Sequence, residues 1–340
     1  MASIKILFCD VDLHTKKLLN ENEILKKYIL SVYDESLDKI SEEKLSKSFD
    51  AEAISAFVYS NLDGEILQRF KNLKMVSVRS TGYNNVDLSY CKKNKIRVVN
   101  VAGYGEKTVA EFALGTLLSL TRKINFSNKR LRNHIVNTRE DVGIEICGKT
   151  IGVVGTGAIG RHFIKLCHSF ECDILAYDPF ENQSLKENGI CRYVTLDELF
   201  KKSDVISLHC PATPENHHLI NKNTINLMKD GVFIINTARG TLIDSIDLYD
   251  SVISGKVAGA ALDVLEYENA IIKNDVSNIR TKGEIFATYS LIDEKLLQLP
   301  NVIITPHIAF NSVEAGHRIF DTTVKNIDDF FSGREIKYVV

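Results

Sequence analysis

Short apolar runs alternate with longer helix-like stretches along most of the chain. Ile4–Cys9, Ile54–Tyr59, Met75–Val78 and Ile96–Val99 form a first set of such runs. Thr150–Val154, Asp173–Tyr177, Val205–Leu208, Val232–Ile235, Val257–Leu262 and Val302–Ile304 form a second. Runs this short with helical patterns between them predict β-α units feeding parallel sheets, and two sets predict two α/β domains. Between the sets, from Thr108 onward, Val109, Ala110, Phe112, Ala113, Leu114, Leu117, Leu118 and Leu120 are apolar on nearly every face. A helix apolar all round must be buried on all sides, so this one is expected to join the domains or pack on a second subunit, the alternative being an interior helix of one domain. After Phe310, the segment Ser312–Phe331 reads as a last helix closed by Ser332-Gly333. If it returns to the first domain, that domain is discontinuous.

Composition narrows the picture. A chain of 340 residues suits two domains. Its 42 Lys and Arg against 44 Asp and Glu give a net charge of −2. A nearly neutral chain has no overall electrostatic reason to seek nucleic acid or an anionic membrane. No apolar stretch approaches the length of a membrane span, and the first run is halted at once by Asp10 and Asp12, unlike a signal core. The seven cysteines are irregularly spaced without a C-x-x-C pair, which reads as free thiols in a reducing compartment. The cytoplasm is the expected address.

The strongest motif is Gly155-Thr156-Gly157-Ala158-Ile159-Gly160, a G-x-G-x-x-G with a Val/Ile strand before it and the helical pattern Arg161–Phe170 after it. Gly155 is expected to make the tight turn, Gly157 to let backbone approach a pyrophosphate, and Gly160 to let helix and strand pack closely. The helix N-terminus at Ala158 and Ile159 then offers free N–H groups to the phosphates. Asp178 ends the next strand, 23 residues after Gly155. A carboxylate there accepts hydrogen bonds from a ribose diol and repels a 2′-phosphate, so the expected cofactor is NAD rather than NADP.

Three later strand ends lead into polar loops: Asn236-Thr237-Ala238-Arg239-Gly240, Asp263–Glu268, and Thr305-Pro306-His307-Ile308-Ala309. Ligands of open parallel sheets bind at the carboxyl ends of the strands, so all three loops are expected on one crevice. An arginine, a carboxylate and a histidine there suit reduction of a 2-keto acid. Arg239 can clamp a substrate carboxylate with its planar fork. His307 can give a proton to the carbonyl oxygen as hydride arrives. A glutamate of the middle loop can orient the imidazole and favour its charged form. The adjacent pair His217-His218 is expected to point in different directions with no Asp/Cys set to complete a site, so no metal is expected. Cys210 beside His209 reads as a small lining residue rather than a reactive thiol.

In combination, the Gly155–Gly160 motif, Asn236–Gly240, Gly259–Val264 and Pro300–His307 resemble the signatures of the NAD-dependent D-2-hydroxyacid dehydrogenases over nearly the whole chain. The resemblance implies an NAD-binding Rossmann domain over 104–309 and a flavodoxin-like, discontinuous substrate domain over 1–103 and 310–340, each a doubly wound parallel sheet. It implies that Arg239 binds and activates substrate and that His307 is the acid/base. It also selects Glu268, five residues after Asp263, over Glu266 as the partner of the histidine. Cys210, Pro211, Asn216, Thr237, Ala238 and Asp263 fall where the family lines the NAD cleft. Further matches resemble the D-lactate dehydrogenase branch, including its vancomycin-resistance pyruvate reductases. Val78-Arg79-Ser80-Thr81-Gly82 matches a substrate loop whose Thr81 and Gly82 N–H groups bind carboxylate. Tyr104 and Tyr59 match aromatic residues of the substrate pocket, and the insertion Asn269–Leu299 is long, as in that branch. The chain departs from it at Phe310-Asn311, where two tyrosines are common, and at Tyr83, where a smaller residue is usual. The implied activity is reduction of pyruvate to D-lactate with NADH by a homodimer. The alternatives are a reductase of bulkier branched or aromatic 2-keto acids and, from another class, an NAD-sensing corepressor on the same fold. Such corepressors carry extended disordered tails.

Overall fold

Alternation within the first apolar runs determines how the smaller part of the molecule is layered. The computed structural model describes residues 4–136, 139, 141–268 and 279–340, the side chains of 279–283 and 285 excepted, so 269–278 of the long insertion lie outside the described residues. The chain divides into two units, Met1–Tyr104 with Ser312–Val340, and Gly105–Asn311.

The smaller unit is built on β1 (Lys5–Phe8), β2 (Ile29–Val32), β3 (Ala53–Ala56), β4 (Met75–Val78) and β5 (Arg97–Asn100). They form one parallel sheet in the order β2-β1-β3-β4-β5, the flavodoxin-like arrangement. Leu7, Ile54, Val76 and Val98 lie side by side in register. They pack with Leu37, Leu67 and Phe70 on one face. The alternate residues Ile6, Phe8, Ala53, Met75 and Val99 face the other way, onto Phe320, Val324 and Ile327 of the last helix, Val313–Phe331. The discontinuity thus follows from burial: without the last helix, this face of the sheet keeps only the cover that Leu19, Leu25 and Tyr28 give it. Ser312 caps that helix by accepting from the Ala315 N–H at 3.2 Å. Beyond it, Val339 donates its N–H to the Val98 carbonyl (2.7 Å), and Val98 donates to Val340 (3.1 Å).

Two details differ from the sequence expectation. The edge strand β2 was not expected, because Ile29 and Val32 are partly solvent-facing and carry a weak apolar signal. β3 ends at Ala56 rather than Tyr59, because the Phe57 N–H turns to Asp10 Oδ2 at 2.8 Å instead of continuing the ladder.

The larger unit holds β6 (Thr150–Val154), β7 (Asp173–Tyr177), β8 (Arg192–Tyr193), β9 (Val205–Leu208), β10 (Val232–Asn236), β11 (Val257–Leu262) and β12 (Val302–Ile304). The parallel sheet runs β12-β11-β10-β9-β6-β7-β8, so strand order reverses between β6 and β9. Ile151, Val153, Ile174, Val205 and Ile235 pack with the helices Glu106–Thr121 and Ala158–Ser169. Ile206, Leu208, Ile234, Ala260 and Leu262 pack with Leu199, Phe200, Ile225, Leu248 and Val252 on the opposite face. Ala110, Ala113, Leu114, Leu117 and Leu120 of the apolar helix are buried within this unit's own core, so interior packing accounts for them. The two-residue β8 at the edge was also not expected.

The unit boundaries fall one or two residues from the expected ones. Tyr104 stays with the smaller unit, where its carbonyl accepts from Arg318 Nε at 2.7 Å. Phe310 and Asn311 stay with the larger, where the Asn311 N–H reaches the Ile308 carbonyl at 2.8 Å. Among the described residues, no helix is long and apolar enough to cross a membrane.

Candidate active site

The glycine loop joins β6 to the helix Ala158–Ser169 at the reversal of strand order. Gly155 has φ +96°, and a Cβ there would lie 2.6 Å from the Cys210 nitrogen. A Cβ on Gly160 would lie 2.0 Å from the Gly155 carbonyl oxygen. Both positions are therefore glycine because protein backbone fills the space. Gly157 differs, since a Cβ there would meet no protein atom within 4 Å. Nothing in the fold demands that this residue lack a side chain, whereas a ligand approaching the loop would. The helix has no side-chain N-cap, so the first-turn N–H groups of Ala158, Ile159 and Gly160 are left for another acceptor.

Asp178, just after β7, is fixed beside this loop. Its Oδ2 accepts from the Thr156 N–H (2.6 Å) and hydroxyl (3.1 Å), and its Oδ1 accepts from the Phe180 N–H (2.8 Å). Thr156 in turn accepts from the Tyr193 hydroxyl at 2.9 Å. These two supports, from the x position of the motif and from the short β8, carried no sequence signal of their own.

On the other side of the reversal, Asn216 folds the loop after β9. Its amide donates to the Pro211 carbonyl (2.8 Å), and its Oδ1 accepts from the Thr213 N–H (2.7 Å). Burial pushes the Cys210 thiol up to about 11, so it stays neutral, as a lining residue should. Burial also pushes His209 down to about 3. The Thr237 hydroxyl is buried with no hydrogen-bond partner among the described residues. Leaving such a group unpaired costs about 1–3 kcal/mol, which a bound ligand's acceptor or donor would recover. The open space at Gly157, the unused helix N-terminus, Asp178 and the unpaired Thr237 hydroxyl together fit a dinucleotide.

Two further loops carry the charged side chains. Asn236 clamps the first by donating to the Arg239 carbonyl (2.9 Å) and accepting from the Ala238 N–H (3.0 Å). Gly240 presses this loop onto the next, for a Cβ there would lie 2.0 Å from the Leu265 carbonyl carbon. Arg239 is exposed. Asp263 is almost fully buried, and its side chain builds the turn that bears His307 rather than lying open to a ligand. Oδ1 accepts from the Thr305 hydroxyl (2.5 Å) and Ile308 N–H (2.9 Å), and Oδ2 from the Ala309 N–H (2.8 Å). The Asp263 carbonyl also accepts from the His307 N–H at 2.9 Å. So held, His307 adopts φ +54°, a left-handed conformation that a non-glycine residue keeps only when its surroundings impose it.

The His307 Nδ1 lies 2.9 Å from Glu268 Oε1. That hydrogen bond and the carboxylate's charge raise the imidazole pKa, while burial and the nearby Arg239 charge oppose the rise. The Arg239 guanidinium is therefore within electrostatic reach of the imidazole. Glu266 turns elsewhere, to His217 and His218. Those two histidines do not diverge, contrary to the sequence expectation: their ring centroids are 3.9 Å apart, because His218 also takes a positive φ of +49°.

In the smaller unit, Arg79 is buried and ties three strand ends together. It donates to the carbonyls of Ser55 (2.9 Å), Cys9 (2.6 Å) and Asp10 (2.8 Å). The following loop is held by the Thr81 hydroxyl on the Val101 carbonyl (3.1 Å) and by the Ser80 hydroxyl on the Gly82 carbonyl (2.6 Å). Tyr104 is buried, whereas Tyr59 is 58% exposed past the end of β3. Asp10 and Arg79 were not singled out from sequence; an aspartate and an arginine directly after strands were the available signal.

Residues 114–309 match the family model of the D-isomer specific 2-hydroxyacid dehydrogenase NAD binding domain. The chain is 41% identical over 289 residues to an aromatic 2-oxoacid reductase of Clostridium sporogenes, covering 84% of each chain. It is 36% identical over 317 residues to the D-lactate dehydrogenase of Escherichia coli, covering 91% of this chain and 94% of that one. Among solved structures, the D-lactate dehydrogenase of Aquifex aeolicus complexed with NAD and lactic acid is similar with a TM-score of 0.81. It is 38% identical, with 96% of each chain covered.

Proposed function

The chain belongs to the D-isomer-specific 2-hydroxyacid dehydrogenases, NAD-dependent oxidoreductases, and from that premise we propose that it reduces pyruvate to D-lactate. The observation that carries the chemistry is the 2.9 Å contact between His307 Nδ1 and Glu268, with Arg239 in reach of the same ring. NAD, when bound in its reduced form, supplies the hydride. Arg239 holds the substrate carboxylate and polarises the adjacent carbonyl with its fork of donors. His307 Nε2 gives a proton to the carbonyl oxygen, and Glu268 stabilises the imidazolium before that transfer. In the reverse direction His307 takes the hydroxyl proton. By the same likeness, Thr81 and Gly82, through their backbone N–H groups, and Tyr104 and Tyr59 are the smaller unit's candidates for substrate binding. Gly155, Gly157, Ala158, Ile159, Gly160, Asp178, Cys210, Pro211, Asn216, Thr237 and Ala238 line the cofactor's binding surface. Asp263 belongs with them through the turn it builds. We read the active form as a homodimer. The seven unbonded thiols accord with a reducing, cytoplasmic setting.

The pyruvate reading leans on likeness to two D-lactate dehydrogenases. The second reading, reduction of aromatic 2-oxoacids, leans on the Clostridium relative. NADH consumption against a series from pyruvate to phenylpyruvate, with product chirality determined, separates them. Highest kcat/KM on pyruvate and a D product are expected. A preference for phenylpyruvate would replace the first reading with the second, and an L product would refute both.

A further inference from the structure

His217 and His218 follow the short turn Pro214–Asn216, and Glu266 lies in the loop after β11. Neighbouring side chains on an extended segment ordinarily point apart. Here the backbone changes hand between them, from φ −58° at His217 to +49° at His218. The rings come to lie 3.9 Å apart with 31° between their planes. Both Nε2 atoms face one carboxylate: His217 lies 3.3 Å from Glu266 Oε1, and His218 lies 2.8 Å from Glu266 Oε2. The Glu266 side chain is only 9% exposed. On its far side, His218 Nδ1 is 3.2 Å from Asp244 Oδ2. That oxygen also accepts from the Tyr289 hydroxyl at 3.2 Å, while Asp244 Oδ1 caps the helix Ser245–Ile253.

His218 thus has a carboxylate oxygen opposite each ring nitrogen. A neutral imidazole has one N–H, so one of the two contacts sets lone pair against lone pair unless a second proton or another cation stands between. A second proton would serve His218 alone. The Nε2 of His217 converges on the same carboxylate, and one ligand atom from each of His217, His218 and Glu266 lies within 4.8 Å of the others. A single cation satisfies all three. With the Nδ1–H given to Asp244, the Nε2 lone pair is directed at Glu266, the arrangement in which an outer carboxylate fixes the tautomer of a metal-bound histidine. Two imidazole nitrogens and one carboxylate oxygen are a donor set for zinc with a fourth position left for water, whereas magnesium and calcium take oxygen ligands. His217, with half its side chain exposed, leaves a way in from solvent.

We propose that His217, His218 and Glu266 bind a divalent transition-metal ion of the zinc class, with Asp244 as the outer partner that orients His218. The ion would brace the loop bearing Pro211 and Asn216 against the loop bearing Glu268.

The test is titration of the full chain, free of any histidine tag and stripped with a chelator, with Co²⁺ as a spectroscopic probe and Zn²⁺ as competitor. One Co²⁺ per chain is expected, with visible bands of low coordination number, no near-ultraviolet thiolate band, and displacement by Zn²⁺. His217→Ala and Glu266→Gln should each lower the affinity at least roughly tenfold, and Asp244→Asn about 10- to 100-fold. His217→Ala removes a half-exposed side chain, so its fold should be intact by circular dichroism and this variant decides the matter even if the others unfold. No bound Co²⁺ or Zn²⁺ at millimolar metal would overturn the proposal. So would affinity unchanged by His217→Ala, or a thiolate band that disappears in Cys147→Ser, the variant of the exposed cysteine.

Discussion

At the scale of single residues, the proposed chemistry turns on the protonation of one imidazole. The hydrogen bond that His307 donates to Glu268 raises the His307 pKa above its ordinary 6.5. In the proposed mechanism, keto-acid reduction consumes the proton on His307, so the active form is the imidazolium, present below the raised pKa and lost as pH climbs through it. The kcat/KM for reduction should therefore fall on the alkaline side with a midpoint above 6.5. Glu268→Gln keeps the shape of the side chain but removes the charge, so the midpoint should move to lower pH. A midpoint unmoved by Glu268→Gln in a pH–rate series would separate the glutamate from the histidine's function. His307→Ala should abolish turnover while NADH still binds, as followed by NADH fluorescence; retained turnover would remove His307 from proton transfer.

At the scale of elements, the glycine loop contains two kinds of glycine. A methyl group on Gly160 would run into the Gly155 carbonyl at 2.0 Å. Gly160→Ala should cost about 1–3 kcal/mol of stability and lower the Tm. Gly157 has an ordinary φ of −60° and open space where a Cβ would go. Gly157→Ala should leave the Tm unchanged yet weaken NADH by roughly tenfold or more, about 1.4 kcal/mol, because the methyl group occupies the ligand's approach. Thermal melts and NADH titration of the pair check this; normal NADH affinity in Gly157→Ala would mean that the loop receives no phosphates. Asp263, proposed at the cofactor surface, gives its carboxylate to three donors of the 305–309 segment, and it is this turn that holds His307 in its left-handed conformation.

At the scale of the whole molecule, each unit has its own two-faced core, and the sheet of the larger one is covered without residues of the smaller. A fragment spanning 105–311 should therefore unfold cooperatively and bind NADH. A chain cut after Asn311 should leave the Phe320, Val324 and Ile327 side of the smaller sheet only partly covered and bind the dye ANS. Cooperative melting and NADH fluorescence of the fragment decide the first point. An unfolded fragment would mean that the division into units is not one of stability. Most of this architecture is legible in the sequence, because burial on both faces writes a continuous apolar run and the interior strands are such runs. The glycine motif is legible for the same local reason: tight turns and close backbone approach need glycine at fixed spacing. The edge strands β2 and β8 are not, since a half-solvated or two-residue strand leaves little apolar signal. Nor does spacing alone decide between Glu266 and Glu268, or show that two adjacent histidines stack on one carboxylate. Those outcomes depend on a change of backbone hand at His218 and His307, and on loops 48 and 39 residues apart meeting. Hydrophobic pattern records how deeply each segment is buried; which partner a polar side chain finds on a loop is decided only when distant loops are brought together in the folded chain.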